Sequence, residues 1–219
     1  MRIRYARAEF LSQQENAAIL RGIISSSGLP YLKAEKVNMN WPRIAFGPQL
    51  ALGYASNCEY ADLYFDKPLE EQEAFAALTK QTHKGFKLMG IKNIPYKFPS
   101  ISALCTAVQY SVHGLAALNP PELNKFLSSK EIVISRTNDN GFVIETDIKP
   151  YVYEASFDNE VLNVTLRYIN DVPLKVELFL AKWLGPGAGF DDGENKLSSI
   201  KIIKENLYYS NSLGELFVI

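Results

Sequence analysis

The sequence predicts an α+β fold built from two tandem ferredoxin-like units, each running βαββαβ, the second carrying an extra β-hairpin. Three observations point there. Short runs of alternating apolar and polar residues, the period of half-buried strands, interleave with longer stretches at helical spacing. The succession of elements starts afresh after the Pro- and Ser-containing stretch from Pro95 to Ser102. The length of 219 residues suits one large domain or two small ones. The units are expected at 1–98 and 104–219.

The elements follow in order. Arg2 to Ala8 alternates, with Ile3 and Tyr5 on one side and Arg2 and Arg4 on the other, a half-buried strand. In the next stretch, from Phe10 to Ser27, Ser12 and Glu15 have the spacing of a capping box, Ala17, Leu20 and Ile24 recur at helical spacing, and Gly28 and Pro30 stop the helix. Arg43 to Leu52 reads as a strand bent at Gly47-Pro48, and Glu59 to Phe65 as a second strand. Pro68 opens a helix over Leu69 to Lys80, and Phe86 to Ile94 closes the first unit. In the second, Ala107 to Val112 is a strand. Asn119-Pro120-Pro121-Glu122 starts a helix that runs to about Ser129. Ile132–Arg136 and Phe142–Ile148 flank an Asn138-Asp139-Asn140-Gly141 turn. Tyr151–Phe157 and Val161–Tyr168 make a further hairpin, Leu174–Leu184 a helix ended by Gly185-Pro186, and Ile200–Glu205 the last strand.

Composition narrows the function classes. Apolar residues at 47% and charged residues at 21% are ordinary globular values, which excludes a disordered chain or a coiled coil. The formal net charge of −1 excludes a uniformly polybasic nucleic-acid binder but leaves room for a local basic face. Residues 1–50 hold seven Lys/Arg against three acids, while residues 104–219 hold ten against fifteen. Two cysteines, Cys58 and Cys105, cannot build a disulfide framework, and two histidines, His83 and His113, leave little for a metal site. No apolar run nears the roughly 20 residues of a membrane span, and the opening Met1–Arg7 lacks a signal-peptide core. A cytoplasmic protein with no membrane partner is expected.

Candidate chemistry concentrates near the N-terminus. Trp41-Pro42-Arg43, preceded by Asn38-Met39-Asn40 and followed by Phe46, Gly47 and Pro48, joins an aromatic, a cation and a strand bend, the parts with which proteins hold single-stranded RNA. Arg2, Arg4 and Arg7 on one strand are candidate phosphate contacts. The segment Gly185-Pro186-Gly187-Ala188-Gly189 lacks the Lys-Ser/Thr of a phosphate loop, and Asp191, Asp192 and Glu194 behind it would repel phosphate. No Gly-x-Ser-x-Gly elbow occurs, so no residue is assigned a catalytic role, and no cofactor or metal ligand is expected.

These motifs resemble the bacterial radical-SAM-linked proteins, a family found fused to or encoded beside a radical S-adenosylmethionine enzyme. Arg2-Ile3-Arg4-Tyr5-Ala6-Arg7 matches its opening strand, Phe10-Leu11-Ser12 the start of a Phe-Leu-Ser-His-Leu-Asp motif, and Gly28-Leu29-Pro30 the end of its first helix. Pro42-Arg43-Ile44-Ala45-Phe46-Gly47-Pro48, with Leu50, Leu52 and Gly53, matches its longest motif. Glu59-Tyr60-Ala61-Asp62 and Pro99 to Leu104 match later segments. The chain departs from the pattern at Gln13-Gln14-Glu15, where the family has His-Leu-Asp, at Val37 to Trp41, and at Lys204-Glu205-Asn206. The resemblance implies a radical-SAM protein as partner. A second resemblance is architectural: two tandem ferredoxin-like units with a late Gly-rich loop are similar to the repeat-RNA-processing proteins of CRISPR systems.

The expectation is a non-catalytic accessory module that binds RNA, transfer or ribosomal, for a radical-SAM partner. Arg2, Arg4, Arg7, Trp41, Arg43, Phe46 and Gly47 form the contact set. A protein–protein adaptor without nucleic acid and a metal-independent RNA-processing enzyme are the alternatives.

Overall fold

The structure is a computed structural model that describes residues 1–34, 40–81, 83–95, 97–137, 141–170, 172–190 and 199–219. The chain divides into two compact units, Met1–Cys105 and Thr106–Ile219.

In the first unit, strands β1 (Arg2–Arg7), β2 (Ile44–Phe46), β3 (Ala55–Leu63) and β4 (Phe86–Lys92) are joined through helices α1 (Gln13–Ser26) and α2 (Glu71–Thr79), with a short helix α3 (Ile101–Leu104) at the end. The strands lie in the order β2-β3-β1-β4, every pair antiparallel. The α1 start follows its sequence: the Glu15 amide donates to Ser12 Oγ at 3.2 Å, and the Ser12 amide donates to Glu15 Oε2 at 2.8 Å. Leu20, Ile23 and Ile24 of α1, with Ala74 and Leu78 of α2, recur at helical spacing and bury against Ile3, Tyr5, Ala61 and Leu63 of the sheet. Each large aliphatic side chain removed from water there stabilises the unit by about 1.5–3 kcal/mol. The Tyr5 hydroxyl, also buried, accepts from Asn16 Nδ2 of α1 at 2.9 Å, which ties helix to sheet by a polar contact inside the apolar layer.

The second unit contains β5 (Ala107–His113), α4 (Leu123–Leu127), β6 (Val133–Thr137), β7 (Val143–Asp147), β8 (Val152–Asp158), β9 (Val161–Ile169), β10 (Val172–Pro173), α5 (Val176–Leu184), β11 (Lys201–Ser210) and β12 (Leu216–Val218). Strand β9 pairs β5 along one edge and β8 and β10 along the other. Strand β5 pairs β11, and β11 pairs β12. Among the described residues, strands β6 and β7 pair only with each other, as a separate two-stranded sheet beside which Phe142, Val143 and Ile144 are exposed. The α5 residues Leu178, Phe179, Leu180 and Trp183 are buried. Phe179 meets Phe126 edge-on at 5.7 Å, Trp183 meets Phe157 at 5.6 Å, and the Trp183 indole N–H donates to the Pro121 carbonyl.

The expectation of two tandem ferredoxin-like units is overturned. The second unit does not run βαββαβ. Five strands, β6 to β10, fall between its α4 and α5, two of them leave the main sheet, and β12 extends β11. The structure is strand-rich, and the architectural likeness to CRISPR RNA-processing proteins falls with the tandem pattern. The helix expected from Asn119 also starts later: Asn119 ends a 3-10 turn with φ 47°, and α4 begins at Leu123, beyond both prolines. The expected Asn138-Asp139-Asn140 turn lies outside the described residues.

One ion pair stands out in the first unit. Arg2 donates from Nε and Nη2 to the two Asp62 oxygens at 2.7 and 3.0 Å, and both side chains are buried. Arg2→Ala strands a buried carboxylate and is expected to cost about 3–5 kcal/mol of stability in urea unfolding, whereas Arg2→Met combined with Asp62→Leu is expected to cost far less.

Candidate functional site

The three β1 arginines do not share a face. Arg2 is held by Asp62 and also donates to the Pro99 carbonyl at 3.0 Å. Arg4 is half-buried, its Nε donating to the Asn57 carbonyl at 3.3 Å. Arg7 has the parity of Ile3 and Tyr5 along the strand and points to the helix side. It is 2% exposed and donates to the carbonyls of Leu11, Leu50 and Ala51 and to Gln13 Oε1. Burial pulls its pKa down, against the opposing pull of Glu59, Tyr5 and Glu15. Burial, reinforced by Glu59, pushes the Tyr5 phenol far up. Arg2 and Arg7 are thus internal ligands of the fold, a role that alternation alone could not separate from a surface one.

The residues from Trp41 to Gly47 come together differently. Segment 31–34 lies between segment 41–43 and segment 64–65. The Arg43 amide donates to the Leu32 carbonyl at 2.7 Å, the Ala34 amide to Trp41 O at 2.9 Å, and the Leu32 amide to Tyr64 O at 2.8 Å. This ladder fixes the side chains on either side of Pro42. Trp41, 40% exposed, has the Arg21 guanidinium 4.7 Å from its ring centroid, and exposed Arg43 lies 4.5 Å from the centroid of Tyr64. Asn38 and Met39, read with them from the sequence, lie outside the described residues.

Beside Arg21 a shallow groove of about 510 Å³ is lined by Gln13, Gln14, Ala17, Phe46, Gly47, Pro48, Gln49 and Ser102. Its wall is set by close packing. A Cβ on Gly47 would meet Ile101 Cγ2 at 2.6 Å and the Tyr60 carbonyl at 3.2 Å, and the Ser102 hydroxyl donates to the Phe46 carbonyl at 3.1 Å. Gln13 and Gln14 are where the resemblance expects His and Leu, so this groove offers carboxamides, one hydroxyl and one guanidinium. These groups bind and orient, and none of them is an acid–base pair. Arg21, Tyr64 and Ser102 were not singled out from the sequence. Arg21 lies on the helix face that the apolar spacing leaves to solvent, and only the fold brings it to Trp41.

In the second unit His113 Nε2 is 3.3 Å from Ser111 Oγ, which donates to Glu205 Oε1 at 2.6 Å. A nucleophilic serine needs histidine between itself and the acid. Here serine sits in the middle and its proton is committed to the carboxylate. His83 is exposed, with Nδ1 2.9 Å from its neighbour Lys84's carbonyl. Cys58 and Cys105 are both buried. Among the described residues no group of three His, Cys, Asp or Glu is placed to hold a metal ion, and no helix is long and apolar enough to cross a membrane. Asp191, Asp192 and Glu194 lie outside the described residues.

A family described as an uncharacterized protein conserved in bacteria (DUF2344) matches residues 2–177. The chain belongs to that family. The DUF2344 match spans the first unit whole and the second as far as the first turn of α5, so β11 and β12 lie beyond it. The description names neither a reaction nor a partner. No curated protein matches the chain.

Two outcomes follow from the groove and the helix that borders it. Gly47→Ala is expected to lower stability by about 1–3 kcal/mol in urea unfolding, because backbone and the Ile101 side chain must shift. The Ser12 hydroxyl and amide hold the Glu15 carboxyl below its ordinary value of 4.5. A carboxyl with a depressed folded pKa stabilises the fold above its unfolded value and loses that contribution as the pH falls through the folded one. The stability advantage of the parent over Glu15→Gln is therefore expected to be complete above pH 4.5 and to shrink on acidification below it, as followed by chemical unfolding across pH.

Proposed function

We propose that this chain is a non-catalytic module that holds single-stranded RNA, transfer or ribosomal, for a radical-SAM partner enzyme that performs the chemistry. The observation that carries the RNA part is the pair of cation–π stacks flanking Pro42. Trp41 with Arg21 of α1, and Arg43 with Tyr64, present a partly exposed indole and two guanidinium groups on either side of Pro42. Base stacking on an aromatic ring and phosphate pairing by arginine are the two contacts that single-stranded RNA needs, and neither needs a catalytic group. The partner rests on the motif resemblance alone.

Arg4 and Arg43 remain candidate phosphate contacts. Phe46 and Gly47 shape the adjoining groove, and Arg2 and Arg7 support the face from within. Binding of a labelled single-stranded RNA, read by fluorescence anisotropy at several salt concentrations, tests the reading. Affinity is expected to fall linearly on a log–log salt plot. Trp41→Ala should weaken binding by about 1–3 kcal/mol, and Arg43→Glu should weaken it while reducing the salt slope by roughly one. Two variants that bind as tightly as the parent would overturn the proposed face. A chain that binds no RNA and still forms a complex with the purified radical-SAM enzyme would make it an adaptor.

A further inference from the structure

Among the described residues that line the groove beside Arg21, that arginine is the one charged side chain. The one acid of α1, Glu15, stays outside the lining and is held by the Ser12 amide. Arg21 is half-buried and stacks its guanidinium on the Trp41 ring, and a stacked guanidinium keeps its in-plane N–H donors for other partners. Among the described residues it makes no hydrogen bond and no ion pair. A half-buried cation without a counter-charge favours an incoming anion.

The second donor is fixed by the fold. A carboxamide presents an oxygen at one end and an amine at the other, and its partners settle which end faces where. Gln13 meets Arg7, whose guanidinium can only donate, so the Gln13 oxygen faces Arg7 Nη1, 3.4 Å away. The Gln13 amine keeps two N–H groups that have no partner among the described residues. The floor adds no donor of its own: the Gly47 amide donates to the Tyr60 carbonyl at 2.9 Å, and the Ser102 hydroxyl donates to the Phe46 carbonyl. Gln14 and Gln49 of the lining are exposed and can turn either end inward.

One guanidinium and one carboxamide fixed as a donor, with no carboxylate beside them, suit a group with several acceptor oxygens and a negative charge. A phosphate ester is such a group. The groove's volume of about 510 Å³ admits one sugar–phosphate unit. We infer that the Arg21–Gln13 groove seats a phosphate ester, paired with the Arg21 guanidinium and hydrogen-bonded by the Gln13 amine, which Arg7 orients from within. This deepens the RNA reading and rests on it for the source of the phosphate, a strand with a base stacked on Trp41.

The test reads the full chain in two ways: anisotropy with labelled single-stranded RNA over a range of salt, and proton–nitrogen NMR titration with ribose 5-phosphate against ribose. Gln13→Glu keeps an oxygen toward Arg7 and puts a carboxylate oxygen where the amine was. Its stability in urea is expected to match or exceed the parent's while its RNA affinity falls about tenfold. Arg21→Met keeps an unbranched stem against Trp41 and removes one cation, so RNA affinity falls and the salt slope drops by roughly one. Ribose 5-phosphate is expected to shift the Gln13 side-chain amine signals, and ribose to leave them in place. A Gln13→Glu chain that loses stability overturns the donor assignment. RNA bound by both variants as tightly as by the parent, with the parent's salt slope, overturns the groove, and Trp41→Ala then decides the RNA reading by itself. RNA binding weakened in both variants, with no response to ribose 5-phosphate, assigns the seat to a backbone diester. A response to ribose 5-phosphate that Gln13→Glu abolishes, with no RNA bound, keeps the groove for a small phosphate ester and defeats the RNA reading. No response to either probe overturns both.

Discussion

Arg7 sits almost sealed from water between the carbonyls of Leu11, Leu50 and Ala51, with Gln13 at its outer edge. Those groups belong to two separate connections, the one leading into α1 and the one leading into β3. Neither connection has regular structure that would satisfy its carbonyls. A guanidinium is the one side chain with five donors in a planar fork, so a single residue can close both loops. A buried charge is expensive to desolvate, and the cost is offset only where the hydrogen bonds are nearly complete. Of its donors, Nε makes no hydrogen bond to the described residues. The geometry of the groove follows from this clamp. Gln13 is oriented from below by Arg7, and the Gly47-Pro48 bend is pressed against Ile101 and Tyr60 from the other wall.

Local signals were legible in the sequence where one physical cause acts alone. The Ser12–Glu15 capping box, the Leu20/Ile24 stripe and the alternation of β1 each reflect a short-range requirement, and the structure has all three. The tandem pattern failed because it depends on pairing. No local property of residues 133–147 says that they form a ribbon apart from the main sheet, and the short β10 and β12 are too brief to register as a period. Asn119-Pro120-Pro121 failed differently: prolines suit a helix start, but here they bridge a 3-10 turn and a helix beginning at Leu123. In the site, Trp41 and Arg43 were visible because they are unusual residue types in an irregular stretch. Arg21 and Tyr64 were invisible because their partners arrive from distant segments.

Both units stack arginine on aromatic rings. In the first the rings are Trp41, Tyr64 and Phe98, and in the second Arg167 lies 4.4 Å from the centroid of Tyr153. The second commits its polar side chains to one another across neighbouring strands, as in Ser111 with Glu205, Thr165 with Glu154, and Asn206 with Gln109. Cross-strand pairs of that kind satisfy a sheet face. Arginines stacked on partly exposed rings keep donors in reserve for a ligand.

The placement of the two tryptophans gives the molecule a pair of built-in optical reporters. Trp41 is 40% exposed beside a cation in the first unit, whereas Trp183 is 2% exposed, its indole N–H bonded to a carbonyl in the second. An indole in contact with water emits at longer wavelength than one enclosed by aromatic and aliphatic side chains. The emission spectrum therefore contains a red component that belongs to one unit and a blue component that belongs to the other. Quenching by a dissolved collider such as iodide reaches the first and spares the second, so each unit's state can be followed in the unlabelled chain.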